Sequence, residues 1–248
     1  MRRSKITGGV TFLLGMLLAA GLLQCLSLLK GDSAVFPRVG EIGGAFVRLL
    51  MTARTWELIG ATLLRLVLSL LIAGALGLTL GVLAGLFPLI RGLLRPLMIL
   101  LRAIPMIVIA VIVMVLAPYA HVPVICGSLL LLPLITEAAS EGIRRVEPEL
   151  IDVYRMNSQV SPRIVSQVYL PLIGGYLAQA FQNAVGMGVK VIVTTEFLVQ
   201  AKDSLGKAVF TSQYFGDYAD IYAYALIMAL LALLVGGLPG LIRRILRR

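Results

Sequence analysis

Charged residues are scarce in this sequence. They make up 14% of its 248 residues, whereas a soluble globular domain has about 25%. Apolar residues make up 59%, and the mean hydropathy is +0.98. Several uncharged runs reach the roughly 20 residues that an α-helix needs to cross about 30 Å of hydrocarbon. This balance excludes a soluble domain and predicts an all-α protein that crosses a membrane several times.

Cysteine and histidine are almost absent. Cys25 and Cys126 both lie inside apolar runs, and the chain has one histidine. A disulfide framework or a His/Cys metal site cannot be built within one chain from these residues. We therefore expect two buried thiols that behave as small apolar residues, and neither a metal nor another cofactor.

Enzyme motifs are missing as well. No G-x-x-x-x-G-K-[ST] loop occurs, because the one Gly-Lys pair, Gly206-Lys207, has Ala201 where the first glycine should be. The sequence also has no G-x-S-x-G and no H-E-x-x-H. We expect no enzyme activity in this chain, since a membrane enzyme would lack a nucleophile and a metal site. If ATP drives the protein, another subunit must hydrolyse it.

Apolar runs divide the chain into six predicted transmembrane helices. The first covers 6–29 and is too long for the apolar part of a secretory signal. The second covers 58–87, the third ends near Leu116, the fourth ends near Thr136, and the last two cover 171–199 and 221–242. The predicted divisions are an N-terminal helix with an outer-surface linker (1–56), a membrane core (57–242) and a basic tail (243–248).

Polar segments separate these helices. We predict an outer-surface segment at 30–57, a short turn at Arg91 and Arg95, a turn at 117–123, and an outer loop at 200–220. The segment 137–163 is predicted to be a cytoplasmic loop of two short helices.

The net charge of +10 reflects membrane orientation rather than nucleic-acid binding, because the basic residues cluster at the ends of apolar runs. Thirteen Lys and Arg fall in the segments assigned to the cytoplasm and six in those assigned to the outside. The positive-inside rule then places both termini in the cytoplasm. Arg65, near the outer end of the second helix, is expected to extend its charge towards the membrane surface.

Small residues predict one helix contact. Gly77, Gly81 and Gly85 form a doubled G-x-x-x-G, which lets two helix backbones approach closely. We expect helix packing within the chain, and a seam between two copies is the alternative.

Polar residues inside the fifth predicted helix lie on two stripes. Gln179, Asn183, Lys190 and Thr194 fall within about 60° of one another at 100° per residue, and Gln182, Glu196 and Gln200 form a second stripe. Polar groups in hydrocarbon usually face a bundle interior or water. This pattern predicts a helix that lines a transport pathway. The alternative is a set of interhelical hydrogen bonds with an ion pair between Lys190 and Glu196.

The longest polar interruption of the chain is PELIDVYRMNSQVSPRIVSQVYLP, residues 148–171. Its spacing resembles the signature of permease subunits of binding-protein-dependent ABC importers, an acidic-Ala-Ala triplet followed by Gly and Ile-x-Leu-Pro. Asp152-Val153-Tyr154 takes the place of the triplet, Ser158 that of Gly, and residues 168–171 the end. The Ala-Ala and Gly identities differ. A literal EAA at 137–139 fails the same spacing.

Three flanking stretches extend this resemblance. EGIRRVEPEL (141–150) and GMGVKVIVTTEFL (186–198) are similar to the taurine, alkanesulfonate and nitrate branch of these permeases, and LRAIPMIV resembles the Arg-x-x-Pro of the family through Arg102 and Pro105. The resemblance implies a type I ABC importer permease fold with six transmembrane helices in the cytoplasmic (inner) membrane. Arg102 and Pro105, from this resemblance, join Asn183, Lys190, Thr194 and Glu196, from the polar stripes, as the candidate substrate-pathway residues.

The resemblance also implies partners. They are two ABC ATPase subunits, an extracytoplasmic substrate-binding protein, a second permease copy, and membrane lipid around the helices. The second short loop helix would dock in a cleft of the ATPase through Asp152, Val153, Tyr154, Arg155, Met156, Ser158 and Val160. The implied solute is small: the branch that the sequence resembles handles sulfonates, nitrate and bicarbonate, and vitamins or pyrimidine precursors, carried by similar permeases, are the alternatives. A secondary transporter coupled to an ion or to protonation of Glu196 is the alternative, but it predicts an internal repeat that the sequence does not show.

Overall fold

The computed structural model describes residues 35–146 and 165–246 and a few isolated positions before them, with the backbone only for 237–246. All regular elements in these ranges are helical. The α-helices are α1 Val39–Met51, α2 Ala53–Leu86, α3 Pro88–Ala103, α4 Met106–Leu116, α5 Val122–Arg144, α6 Leu170–Val199, α7 Leu205–Phe215 and α8 Tyr218–Leu246. A short π-helix, Val165–Tyr169, directly precedes α6.

Three of these helices are long and apolar enough to cross a membrane. They are α2, α5 and the part Tyr218–Gly236 of α8, and the bent pair α3 and α4 adds a fourth if it forms one span. These helices match the second, fourth, sixth and third predicted spans. The 30-residue helix α6 covers the fifth predicted span, and 6–29 lies outside the described ranges. The count of six therefore stays a prediction.

The helix α5 lies at the centre of the bundle, between α2 and α6. Its apolar stretch is 61% buried, compared with 39% for α2 and 17% for α8. Glycines of α2 make the close contact possible, because a Cβ added to Gly81 would lie 2.6 Å from both Ala139 Cβ and Thr136 O. A Cβ on Gly77 would lie 3.0 Å from Ile135 Cβ. The predicted helix packing within the chain is confirmed for this G-x-x-x-G face.

Different segments of the chain pack together at the two ends of the bundle. At one end, Leu58 of α2 packs with Leu205 of α7 and Tyr224 of α8; we call this the α7 end. At the other end, Val82 of α2 packs with Ile143 of α5 and residues 169 and 173 beside the start of α6. The segment 147–164 connects α5 to α6 at this second end, which we call the connector end.

The sequence predicts a kink at Pro105 in the third span, because proline removes a backbone hydrogen bond of the helix, but this span is broken. Helices α3 and α4 are bent by 102° at the break between them, and Arg91 and Arg95 lie inside α3 instead of in a turn. Pro105 is the N-cap of α4, and Ile104 before it is extended at φ −71° and ψ 127°. A proline disfavours helical geometry in the preceding residue and lacks the N–H that a continuous helix needs, so α3 ends there.

Two segments predicted as polar surface contain helices. The predicted outer loop 200–220 holds α7, which Ser204 caps by accepting a 3.0 Å hydrogen bond from the backbone N–H of Lys207. Gly216, at φ 78°, ends it in the left-handed region that favours glycine. Helix α1 lies within 30–57 and buries Ile42, Ala45 and Leu49 against the bundle. Residues 137–144 continue α5 and do not form a separate short helix.

Candidate functional site

One face of α6 is polar and is not covered by the rest of the described chain. Gln179, Asn183, Lys190 and Thr194 are all exposed, as the helical spacing predicts. On the other side of α6, Ala184 and Ile192 are completely buried in clusters with side chains of α2. The helix is therefore fixed by its apolar side and presents its polar side outwards.

Lys190 carries the charge of this face. Among the described residues, its side chain has no hydrogen bond or ion pair, and only its backbone carbonyl accepts a 2.7 Å hydrogen bond from the Thr194 hydroxyl. The side chains of Gln179 and Asn183 make no hydrogen bond to another helix in the described ranges. Interhelical hydrogen bonding within the chain, the alternative for these positions, is absent there.

Glu196 lies in a buried cluster instead of on the exposed face. Its side chain is 0% exposed and pairs with Arg65 of α2, with 2.8 Å between Oε1 and Nη1. The Thr62 hydroxyl lies 3.0 Å from Oε2, and the backbone N–H of Gly206 donates to the same oxygen at 3.3 Å. The residues of the second polar stripe therefore have different environments: Gln182 and Gln200 are exposed, whereas Glu196 is buried.

This cluster corrects two expectations. An ion pair between Lys190 and Glu196 is wrong, because Arg65 occupies the position of the counter-charge. Arg65 does not extend freely towards the membrane surface, because its side chain is only 17% exposed and its Nη2 donates to the carbonyl of Lys202 at 2.9 Å. A charge in the interior is stable only when it is paired and hydrogen-bonded, and each of these two groups satisfies the other.

The same cluster attaches the chain after α6 to the bundle. The Thr62 hydroxyl accepts a 3.1 Å hydrogen bond from the backbone N–H of Leu205. Gly206 lets α7 approach α6, since an added Cβ would lie 2.5 Å from Phe197 N and Val193 O. The cluster joins α2, α6 and the start of α7, so we interpret Glu196 as a residue that holds the α7 end together. The sequence signal for this cluster was Arg65, the one charged residue within the apolar run 58–87.

The other candidate pathway residues lie at the break between α3 and α4. Arg102 of α3 forms a 2.6 Å ion pair with Glu137 of α5, and both side chains are about half exposed. Glu137 is the glutamate of the literal EAA at 137–139, and its ion pair with Arg102 links α5 to α3. Pro105 is the N-cap of α4, where its role is to end the preceding helix.

The predicted ATPase-docking residues lie in the undescribed segment 147–164. They are Asp152, Val153, Tyr154, Arg155, Met156, Ser158 and Val160, and their role stays a prediction. The packing of Ile143 with Tyr169 and Ile173 shows that the chain leaves and re-enters the bundle at the same end.

The described chain thus combines helices long and apolar enough to cross a membrane with an uncovered polar face on α6. Residues 77–248 match the family described as "Binding-protein-dependent transport system inner membrane component". The chain belongs to this family. It is a membrane-spanning permease subunit of an ABC importer, and the permease is the non-catalytic component of such a transporter.

Solved structures share the fold. A chain from a bacterial ABC transporter involved in the import of the acidic polysaccharide alginate aligns with a TM-score of 0.66 and 16% identity, and the alignment covers 100% of both chains. A chain of the MetNI methionine ABC transporter in an inward-facing conformation aligns with a TM-score of 0.58 and 18% identity, over 78% of this chain and 94% of that one. A comparison with curated protein sequences finds no match.

Proposed function

We propose that two copies of this chain form a transport pathway lined by the polar face of α6, and that the pathway carries a small anionic solute. The supporting observation is the exposure of Gln179, Asn183, Lys190 and Thr194 on one face of this helix. Polar and charged groups are costly against hydrocarbon and usually face a bundle interior or water. This face therefore needs a polar environment, which a pathway between two subunits supplies.

Lys190 gives the pathway its preference for anions. Leu170 begins α6, and Lys190 lies 20 residues further on, which is about 30 Å at 1.5 Å per residue. Because Arg65 already neutralises Glu196, that carboxylate does not cancel the charge of Lys190. Each copy contributes one such charge, and a low-dielectric channel focuses its field on a passing anion. A sulfonate, nitrate or carboxylate group fits this chemistry, in line with the resemblance to the taurine, alkanesulfonate and nitrate branch.

The coupling step belongs to the segment 147–164 at the connector end. In the proposal, ATP binding closes a pair of ATPase subunits that hold the docking helix of each permease copy. That movement switches the α6 faces between inward- and outward-facing states. The ion pair of Glu196 with Arg65 gives no support to a secondary transporter that works through protonation of Glu196.

Charge removal at Lys190 tests the proposed pathway. Hydrogen bonds to charged groups contribute about 1.5–3 kcal/mol, so Lys190→Met should lower solute-stimulated ATPase activity and transport by about tenfold or more. The melting temperature should stay unchanged, because the side chain is exposed and unpaired in the described chain. Lys202→Met, an exposed lysine outside α6, is the matched control. Equal transport by wild type and Lys190→Met would refute the pathway role.

The orientation of the termini is tested by cysteine labelling in a Cys25→Ser background, because Cys25 is exposed and not buried as expected, whereas Cys126 is buried. We place Gly92 and Arg248 in the cytoplasm, and Gly43, Ala120 and Gln213 outside. The four of these positions whose side-chain environment is described, Gly92, Gly43, Ala120 and Gln213, are exposed, so labelling reports sidedness rather than burial. Labelling of Gly92→Cys by a membrane-impermeant reagent from outside would reverse the topology and the coupling assignment with it.

A further inference from the structure

A groove with an arginine-rich wall runs between α3 and α5 at the connector end. It has a volume of about 940 Å³. The ends of α3 and α5 that meet there contribute Arg91, Arg95, Arg144 and Arg145 to its lining, and Leu94, Met98 and Ile99 contribute apolar surface. A ligand for this groove must therefore be both anionic and apolar.

The positive charge of the groove is only partly compensated. Arg144 and Arg145 share one carboxylate, that of Glu141, at 3.3 Å and 3.0 Å. Glu137, the other acidic residue of the lining, is paired with Arg102. The side chains of Arg91 and Arg95, one helical turn apart on α3, have no hydrogen bond or ion pair with any described residue. Two guanidinium groups are thus available to an anion.

Helix α3 has the two-sided pattern of a helix at a membrane surface. At 100° per residue, Arg91, Arg95, Met98 and Arg102 fall on one face, which packs on α5 through the buried Met98 and the Arg102–Glu137 ion pair. The opposite face consists of exposed leucines: Leu89 (77% exposed), Leu93 (69%), Leu97 (46%) and Leu100 (55%). A basic amphipathic helix of this kind binds at the interface between headgroups and acyl chains.

The direction of α3 agrees with such a position. Helix α4 packs on α5 through Ala110, Val113 and Cys126, and α3 is turned by 102° from α4. Because the two helices do not continue in one line, α3 does not follow the direction of α4. A position of α3 at the membrane surface would place its leucine face in hydrocarbon and the guanidinium groups of Arg91 and Arg95 at headgroup level.

We propose that this groove binds an anionic phospholipid, with the phosphodiester between Arg91 and Arg95 and the acyl chains against the apolar part of the lining, Leu94, Met98 and Ile99. Arginine is suited to this ligand because its guanidinium group forms paired hydrogen bonds with phosphate oxygens. Basic pockets between transmembrane helices on the cytoplasmic side are typical headgroup sites. A soluble anion would leave the apolar wall of the groove uncovered.

Lipid-dependent thermal unfolding of the purified full chain in a neutral detergent tests this site without any transport assay. Phosphatidylglycerol should raise the melting temperature saturably, and it should do so more than phosphatidylcholine of the same acyl chains or inorganic phosphate. In Arg91→Gln/Arg95→Gln the extra shift from phosphatidylglycerol should disappear. Lys202→Gln/Lys207→Gln, which removes the same charge at the α7 end, should keep it.

Other outcomes would overturn the proposal. Equal shifts from the two lipids, or an unchanged phosphatidylglycerol shift in Arg91→Gln/Arg95→Gln, would exclude a specific headgroup site. If inorganic phosphate raises the melting temperature as much as phosphatidylglycerol does, the groove binds an anion and does not recognise a lipid. If the glutamine variant does not fold, Arg91→Lys/Arg95→Lys keeps the charge but loses the paired hydrogen bonds, and it should show a weaker lipid response. Because transport is not measured, a failure here leaves the proposed pathway at Lys190 untouched.

Discussion

Arg65 and Glu196 form an ion pair across the interior of the bundle, with 2.8 Å between their charged groups. They are 131 positions apart in the chain and join α2 to α6 close to the start of α7. The pair neutralises the one carboxylate that is completely buried among the described residues. It also leaves Lys190, which precedes Glu196 on α6 by about 1.7 turns, without that carboxylate as a partner.

Removing only one member of this pair should destabilise the fold. In Arg65→Met the Glu196 carboxylate stays buried without its counter-charge, which costs about 3–5 kcal/mol when a buried pair is broken. The double variant Arg65→Met/Glu196→Gln removes both charges and should recover most of the melting temperature. Lys190→Met is the control and should melt like the wild type. A fall of equal size in Lys190→Met, without recovery in the double variant, would contradict the assignment.

Gly206 should not tolerate a side chain. In Gly206→Ala the new Cβ would lie 2.5 Å from two backbone atoms of α6, Phe197 N and Val193 O, and backbone cannot rotate away as a side chain can. Overpacking of this kind costs about 1–3 kcal/mol, so the melting temperature should fall. Gly174→Ala on α6 has no atom within 4 Å of its Cβ and should be neutral or slightly stabilising, because alanine favours helix. Equal stability of the two variants would show that α7 does not pack as described.

Acid should weaken the attachment of the loop between α6 and α7. Arg54 donates a hydrogen bond to Asp203, and this bond holds the pKa of the Asp203 carboxyl below its usual value. A lowered folded-state pKa means that the pair stabilises the fold above the ordinary aspartate pKa, about 3.9, and loses that contribution as the pH falls through the folded-state pKa.

The variant Asp203→Asn tests this dependence. Asparagine tolerates the positive φ of 53° at this position but cannot titrate. Wild type should melt slightly higher than Asp203→Asn at pH 7, and the difference should shrink below about pH 3.9 and then disappear. The effect should be small, because both side chains of the pair are more than a third exposed and solvent screens them. If the difference in melting temperature between wild type and Asp203→Asn does not change with pH, titration of Asp203 is not its cause.

Local periodicity allowed several features to be predicted from the sequence. The polar stripe of α6 and the glycine face of α2 each repeat within one helix, so the spacing of Asn183 and Lys190, or of Gly77 and Gly81, determines which side they share. The structure confirms both faces. The polar composition of 200–220 predicted a loop, whereas the structure places α7 there, between its N-cap Ser204 and Gly216.

Long-range contacts could not be predicted in the same way. Glu196 has three basic candidates within the predicted spans, Lys190 on its own helix and Arg65 and Arg102 on others, and only the packing of the helices decides between them. Pro105 predicted a kink because it lacks an N–H, but the size of the bend depends on how α3 and α4 each pack on α5. Sequence alone gives neither of these interhelical arrangements.

The segment 147–164 carries the prediction that tests the coupling to ATP hydrolysis. The chain leaves α5 and returns to α6 at the connector end, and the family implies an ATPase partner. We expect the helix within it to fill a cleft of that ATPase, with Ser158 where the family pattern has glycine.

Ser158→Arg places a bulky charged group in this cleft, so less ATPase should co-purify with the permease or transport should lose its dependence on ATP. Ser158→Ala keeps the small volume and should behave like the wild type. The melting temperature of the permease should be the same in both variants, because the proposed docking helix contacts the ATPase rather than the bundle. Normal transport by Ser158→Arg, with ATPase recovered at the wild-type yield, would mean that the ATPase docks elsewhere.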